Sequence, residues 1–427
     1  MDRGKEIAGI DCSGRAVSRR CFLRSLSRSA VAAGGAGLLL SSPTWLKELA
    51  AAADPPGKAA TLTRRAHPAR YWISSNADGV SCLSCHTLED DVTGTVFDHA
   101  EGIVKCMLCA QECVIREGER GACRARENVD GELRSLVYGY PVAIHIDPIE
   151  KKPLYHFRPG SVAYSLATTG CPLHCQFCQN WEISQARPED YDVPYTPPEA
   201  VVSDAARRHA PVIAFTYNEP TVFSEYMLDI ATAAKKQGIA CVLISCGFMN
   251  ERPLAAMCDV LDAIKIDLKG FSPEFYRHIC SAELQPVLRS IKQVANSGVH
   301  LEIVNLVVPT LNDSDKMLTE LAKWVFGELG PDVPVHFTRF HPDYRMLNLP
   351  PTPVATLENA YQIARAQGIR YPFVGNVPGH PGNNTYCPKC GKLVIERDGL
   401  FVTGMNMQNG TCGFCAEPIA GVWNGGQ

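Results

Sequence analysis

Thr169-Gly170-Cys171-Pro172-Leu173-His174-Cys175-Gln176-Phe177-Cys178-Gln179-Asn180-Trp181 carries three cysteines at C-x3-C-x2-C spacing. The segment follows directly on a buried-looking apolar run, Val162–Ala167. Three thiolates hold three irons of a cubane and leave the fourth iron open to another ligand. Gly170 permits a tight exit from the strand, and Phe177 sets an aromatic ring beside the site. A structural zinc knuckle is the competing assignment. Zinc takes a fourth protein ligand, and Gln179-Asn180-Trp181 supplies none nearby.

On either side of this motif, short apolar runs alternate with amphipathic ones. Val162–Ala167, Val212–Thr216, Ala240–Ser245, Ala263–Ile266, Leu301–Val307 and Val335–Phe340 read as buried strands. Pro198–Arg208, Thr221–Gln237, Leu284–Ser297, Asp315–Glu328 and Val354–Gln367 read as helices. The alternation predicts parallel βαβ units, an α/β fold. Six such strands predict an incomplete (β/α)6 barrel whose ligands gather at the carboxyl ends of the strands. This core spans 159–376.

The chain has 427 residues, enough for two or three domains. Its net charge of -4 gives no footing for nucleic-acid binding. Cysteine is the outlier, with 19 in the chain, 13 of them in close-spaced groups. Separations of two or three residues let thiolates converge on one ion or cluster. Residues 64–158 form a cysteine-rich amino-terminal module, in which Cys106, Cys109, Cys113 and Cys123 supply four ligands for zinc or a closed cluster. Residues 377–427 form a tail with two knuckles, Cys387/Cys390 and Cys412/Cys415, at zinc-ribbon spacing. Cys82-Leu83-Ser84-Cys85-His86 fits covalent haem c, extra zinc or a free pair. The scattered Cys241, Cys246, Cys258 and Cys280 are expected to be core thiols.

Other polar groups fall where the strands end. Asn218 and Glu219, in Thr216-Tyr217-Asn218-Glu219-Pro220, close the second strand. Asp267 and Lys269 close the fourth and lie on one side of an extended segment. His336, Arg339, His341 and Asp343 close the last and are candidates for a substrate pocket. No single residue is assigned as the catalytic group.

The cysteine spacing, with an aromatic just before the last thiol, resembles the radical S-adenosylmethionine (SAM) superfamily. Asp147-Pro148-Ile149-Glu150-Lys151-Lys152-Pro153-Leu154-Tyr155-His156-Phe157, Asp267-Leu268-Lys269-Gly270-Phe271 and His336-Phe337-Thr338-Arg339-Phe340-His341 are similar to the radical SAM member of the AmmeMemoRadiSam system, a relative of pyruvate formate-lyase activating enzyme. The resemblance covers roughly residues 68–425. It implies an enzyme with a [4Fe–4S] cluster on Cys171, Cys175 and Cys178, which cleaves bound SAM to a 5′-deoxyadenosyl radical that abstracts hydrogen from a substrate. Phe177, Asn218, Glu219, Asp267 and Lys269 are its implied cofactor-binding residues. Glu219-Pro220 matches the family's Gly-Gly-Glu-Pro segment, while Tyr217-Asn218 stands in place of the two glycines. Cys246 stands where the family has asparagine. A one-electron reductant such as flavodoxin or ferredoxin is an implied partner, as are proteins of the AmmeMemoRadiSam system.

Two alternatives stay open at this point. One is an activator that installs a glycyl radical on a partner enzyme. The other is an exported electron-transfer protein without SAM chemistry. Residues 1–55 bear on the second, because Ser18-Arg19-Arg20-Cys21-Phe22-Leu23-Arg24, the apolar run Ala30–Leu40 and the small residues Ala50–Ala53 read as a twin-arginine signal. Export conflicts with SAM, a cytoplasmic resource. No segment reads as a transmembrane helix.

Overall fold

In the computed structural model, residues 62–63, 65–74 and 102–423 are described. The signal sequence, Cys12, Cys21 and the Cys82/Cys85/His86 motif lie outside them. No helix among the described residues is long and apolar enough to cross a membrane.

The centre is an eight-stranded sheet. Its strands are β1 (Ala143–Pro148), β2 (Val162–Ala167), β3 (Val212–Phe215), β4 (Ala240–Ser245), β5 (Ala263–Asp267), β6 (His300–Val307), β7 (Val335–Arg339) and β8 (Pro372–Gly375). They lie side by side in chain order. β2 to β8 are parallel, and β1 is an antiparallel edge on β2. Helices α1 (Pro198–Arg207), α2 (Ser224–Lys235), α3 (Glu251–Cys258), α4 (Leu284–Ser297), α5 (Asp315–Leu329) and α6 (Val354–Ala366) make the crossovers.

The partial α/β barrel expected from sequence is present, with one more parallel strand and one edge strand than the apolar runs suggest. β8 escapes a hydropathy reading because Pro372 and Gly375 bound only two apolar residues. β1 escapes because it mixes Ile144 and Ile146 with His145 and Asp147. It lies within the stretch 64–158 yet belongs to the main sheet.

Caps punctuate the crossovers. Ser314 accepts the Met317 N–H at the start of α5, and Gly298 ends α4 at φ 83°. Side chains alternate across each strand. One face packs the large apolar core against the helices, with Ile213, Phe215, Leu243, Ile264, Ile303, Val335 and Phe337 all buried. On the inner face, Ala163, Val212, Ala214, Ala240, Val242 and Ala263 pack around Ile149, Leu154 and Phe157 from the β1–β2 connection. That connection fills part of the barrel interior. Polar side chains take over the inner face further along the strands: Thr216, Lys265, Asp267, His336 and Thr338.

The flanking segments are small. Trp72–Ser74, Val104–Cys106 and Val114–Ile115 pair in one three-stranded sheet, and His67–Pro68, Glu132–Ser135 and Arg126–Val129 in another. In the tail, Thr385–Tyr386, Leu393–Asp398 and Phe401–Met405 form a third. The tail packs on Tyr155, Tyr371 and Phe373. The described residues fall in one compact unit.

Candidate active site

A cavity of about 690 Å³ opens at the carboxyl ends of the strands. That volume falls within the roughly 300–1,000 Å³ of small-molecule sites. Cys171, Cys175, Cys178 and Phe177 line it, joined by Asn218, Glu219, Asp267 and Lys269. The eight cofactor-site residues expected from sequence therefore share one cavity.

The loop after β2 is held from several sides. His174 N–H donates to Cys280 O (3.0 Å), and Gln176 N–H to Ile279 O (3.0 Å). His174 Nδ1 pairs with Gln185 Oε1 at 2.6 Å. Phe177 is buried and stacks on Phe275, ring centroids 6.2 Å apart. Burial pushes the Cys171 thiol well above its ordinary range. A hydrogen bond from Cys280 draws the Cys175 thiol down instead. Burial disfavours a bare Cys171 thiolate, a cost that a shared metal cation offsets.

After β3 the chain turns sharply. Tyr217 adopts φ 70°, a conformation that suits glycine and strains a bulky residue. Its hydroxyl donates to Asp147, and Lys152 Nζ lies 4.6 Å from its ring centre. Asn218 Nδ2 donates to Gly170 O at 2.9 Å, tying this turn to the cysteine loop. Asn218 Oδ1 is buried and meets no hydrogen-bond partner among the described residues. An unpaired acceptor beside a cavity suits an ammonium group. Glu219 is engaged by Thr221 N (3.1 Å), Thr221 Oγ1 (2.6 Å), Ser245 Oγ (2.8 Å) and Cys246 N (2.7 Å). It braces the turns after β3 and β4 as well as facing the cavity.

Asp267 accepts from Lys265 and, at 3.2 Å, from Lys269. Burial opposes its charge, yet the two lysines hold its carboxyl below the usual range. Lys269 Nζ also sits 5.9 Å from the centre of the Phe177 ring.

Of the four pocket candidates on the last core strand, His336 alone lines the cavity. Alternation explains the division: His336 and Thr338 point inward, so Arg339 points away and donates to Thr352 O at 2.8 Å. His341 is exposed, and Asp343 Oδ1 accepts the Tyr344 N–H in a surface turn. These three do not line this cavity. His336 Nε2 meets Glu302 Oε2 at 2.6 Å. Burial opposes the charge of Glu302, but contacts from His300 and His336 hold its carboxyl well below the usual range. Burial lowers His336.

Several lining residues were not singled out from sequence: Lys152, Tyr155, Lys265, and Asn383 and Leu400 of the tail. Lys265 carried a signal, since a lysine two residues before Asp267 in an apolar strand must share its face. The tail residues carried none, because their approach depends on long-range docking.

In the tail, Cys387 and Cys415 sulfurs lie 3.6 Å apart, and those of Cys390 and Cys412 3.8 Å. All four ligand atoms fall within 4.8 Å of one another and could hold a metal ion. Zinc at about 2.3 Å from each thiolate places tetrahedral sulfurs about 3.8 Å apart.

The sequence profile described as "Radical SAM superfamily" matches residues 165–324. An uncharacterized protein of Methanocaldococcus jannaschii is 44% identical over 319 residues, 74% of this chain and 95% of that protein. The pyruvate formate-lyase-activating enzyme of Clostridium pasteurianum is 24% identical over 162 residues, 36% of this chain and 65% of that one. A radical SAM methyltransferase from Sphaerobacter thermophilus aligns with a TM-score of 0.42 at 16% identity, over 56% of this chain and 71% of that one. Residues 165–324 carry a radical SAM domain, and the chain is a radical SAM superfamily relative and an enzyme of that class, related to activating enzymes.

Proposed function

We propose that the chain binds SAM at a [4Fe–4S] cluster held by Cys171, Cys175 and Cys178, and cleaves it reductively to modify a substrate in the same cavity. The observation that carries this reading is the convergence of three thiols, an unpaired Asn218 acceptor and Glu219 on one 690 Å³ cavity. When bound, the cluster and SAM supply a 5′-deoxyadenosyl radical for hydrogen abstraction.

The protein's part is placement. Asn218 Oδ1 would accept from the SAM ammonium, and the Asn218 amide ties that group to the cysteine loop. Glu219 fixes the turns after β3 and β4. Phe177, packed on Phe275, keeps water from one side of the sulfurs. Lys265 and Lys269 share one carboxylate, Asp267, so this wall keeps a net positive charge for an anionic group. Asn383, Gly399 and Leu400 complete the wall from the tail. That enclosure favours a small substrate over the loop of a glycyl-radical partner enzyme.

Anaerobically reconstituted protein should give a reduced-cluster EPR signal that changes when SAM is added. Cys175→Ala should abolish the SAM-responsive part of that signal and the release of 5′-deoxyadenosine. A four-iron cluster on Cys171, Cys175 and Cys178 whose signal never responds to SAM would overturn the reading.

A further inference from the structure

A second sulfur-lined cavity lies in the amino-terminal module. Cys106, Cys109, Cys113 and Cys123 all line it, together with Leu108, Ile115, Arg126, Pro172, Thr221 and Val222. Cys113 Sγ accepts the Ala122 N–H at 3.4 Å. N–H groups aimed at sulfur favour the thiolate and stabilise a metal-bound one.

Arg126 supplies an independent observation. Its side chain is 1% exposed. Nη2 donates to Glu225 and to Ser224 Oγ. Nε and Nη1 are buried with no hydrogen-bond partner among the described residues. Two unpaired donors of a buried guanidinium face a cavity ringed by four thiols, a costly arrangement unless an anionic centre lies there.

Spacing separates the two metal chemistries. Among the described residues, the tail quartet is the group of three or more ligands whose atoms all fall within 4.8 Å of one another. The module cysteines surround a cavity instead, as do Cys171, Cys175 and Cys178. A single zinc draws four sulfurs to about 3.8 Å. A cubane binds each thiolate at a separate iron and holds them farther apart.

The cavity also abuts the active site. Pro172, next to Cys171, lines its wall, and Gln111 Nε2 donates to Pro172 O at 3.0 Å. A Cβ on Gly170 would lie 2.4 Å from Cys123 O, so the two cysteine loops touch at backbone level. Thr221, which binds Glu219, forms another part of the same wall.

We propose that Cys106, Cys109, Cys113 and Cys123 hold a second, fully ligated four-iron cluster that relays electrons to the cluster on Cys171, Cys175 and Cys178. Arg126 offsets its negative charge and donates to its sulfurs. One electron from a flavodoxin- or ferredoxin-class reductant enters the module cluster. That cluster is reoxidised as the same electron reduces the one in the barrel, with no proton or bond exchanged. The relay rests on the function proposed above, whereas the site stands without it.

The full chain, reconstituted anaerobically with iron and sulfide, tests both parts. Wild type should hold about eight irons, four for each cubane. Cys171→Ala/Cys175→Ala/Cys178→Ala should keep about four irons and a reducible EPR signal. An iron-free triple variant, with about two zinc ions per chain, would overturn the second cluster. A triple variant that keeps its iron, beside a wild type that ignores SAM, would leave the second cluster standing and remove the function above. Cys106→Ala/Cys113→Ala should retain the SAM-responsive signal yet be reduced by flavodoxin at least tenfold more slowly; an unchanged rate would overturn the relay. Arg126→Lys, which keeps the charge and the fold, should lower the potential of the signal left in the triple variant. An unmoved potential would remove Arg126 from the cluster.

Discussion

Asn218 shows how one side chain can serve two ends. Its amide N holds Gly170 O, and its buried oxygen has no partner among the described residues. Asn218→Leu should therefore weaken SAM binding by about 1.5 kcal/mol, the low end for a hydrogen bond to a charged group, which is roughly tenfold. Equilibrium binding to reconstituted protein measures this, and an unchanged iron content separates it from loss of the cluster. His156 acts at the same scale on stability. It is buried, with Nδ1 2.6 Å from Ala420 O and Nε2 3.2 Å from Thr385 Oγ1. Burial drives it down to about 3. The unfolded chain takes up a proton near pH 6.5 and the folded chain only near pH 3. Stability is thus complete above pH 6.5 and falls by up to about 1.4 kcal/mol per pH unit below it. Urea titrations between pH 7 and 4 should show this slope, and His156→Phe should flatten it.

At the scale of elements, the tail carries four cysteines placed so that they could hold a metal ion, and it also forms a wall of the site. Its end is stitched to the β1–β2 connection by Arg158 N–Val422 O and Val422 N–His156 O bonds, both 2.7 Å. Arg397 reaches from the tail into the barrel. It is buried, donates to Tyr155 O at 2.7 Å and lies 3.9 Å from Glu150. Arg397→Met strands Glu150 without its counter-charge and should cost about 3–5 kcal/mol, read as a lower denaturant midpoint. Cys412→Ser should release the tail metal and speed proteolysis after residue 377. The tail is too small to bury a core without that ion. Iron at Cys171, Cys175 and Cys178 should be unchanged, as metal analysis can show.

Across the described residues, module, barrel and tail fall in one compact unit. The module is fastened to α2 by Arg126–Glu225 and by Arg70 N–Glu225 Oε1 at 2.7 Å. Tyr138 OH adds a 2.6 Å bond to Asp229. A single calorimetric transition is expected from reconstituted protein. Gly170→Ala should lower its temperature while keeping it single. The added methyl meets Cys123 O at 2.4 Å, and φ is 96° there. Such overpacking costs about 1–3 kcal/mol.

The cysteine spacing, the period of the apolar runs and the polar residues at strand ends are local quantities. They were enough for the α/β barrel, its cysteine loop and the shared face of Asp267 and Lys269. Alternation along a strand also follows from local geometry, and applying it to Val335–Arg339 would have kept His336 and set Arg339 aside. Other features arise from contacts between residues far apart in the chain. The antiparallel edge β1 is recruited by pairing with β2, not by its own hydropathy. Asn383 and Leu400 reach the cavity because Arg397 and His156 dock the tail on the barrel. Spacing in sequence left zinc and a cluster equally open for the module. Four sulfurs lining one cavity, and two donors of a buried arginine unpaired among the described residues, exist once distant strands have packed together.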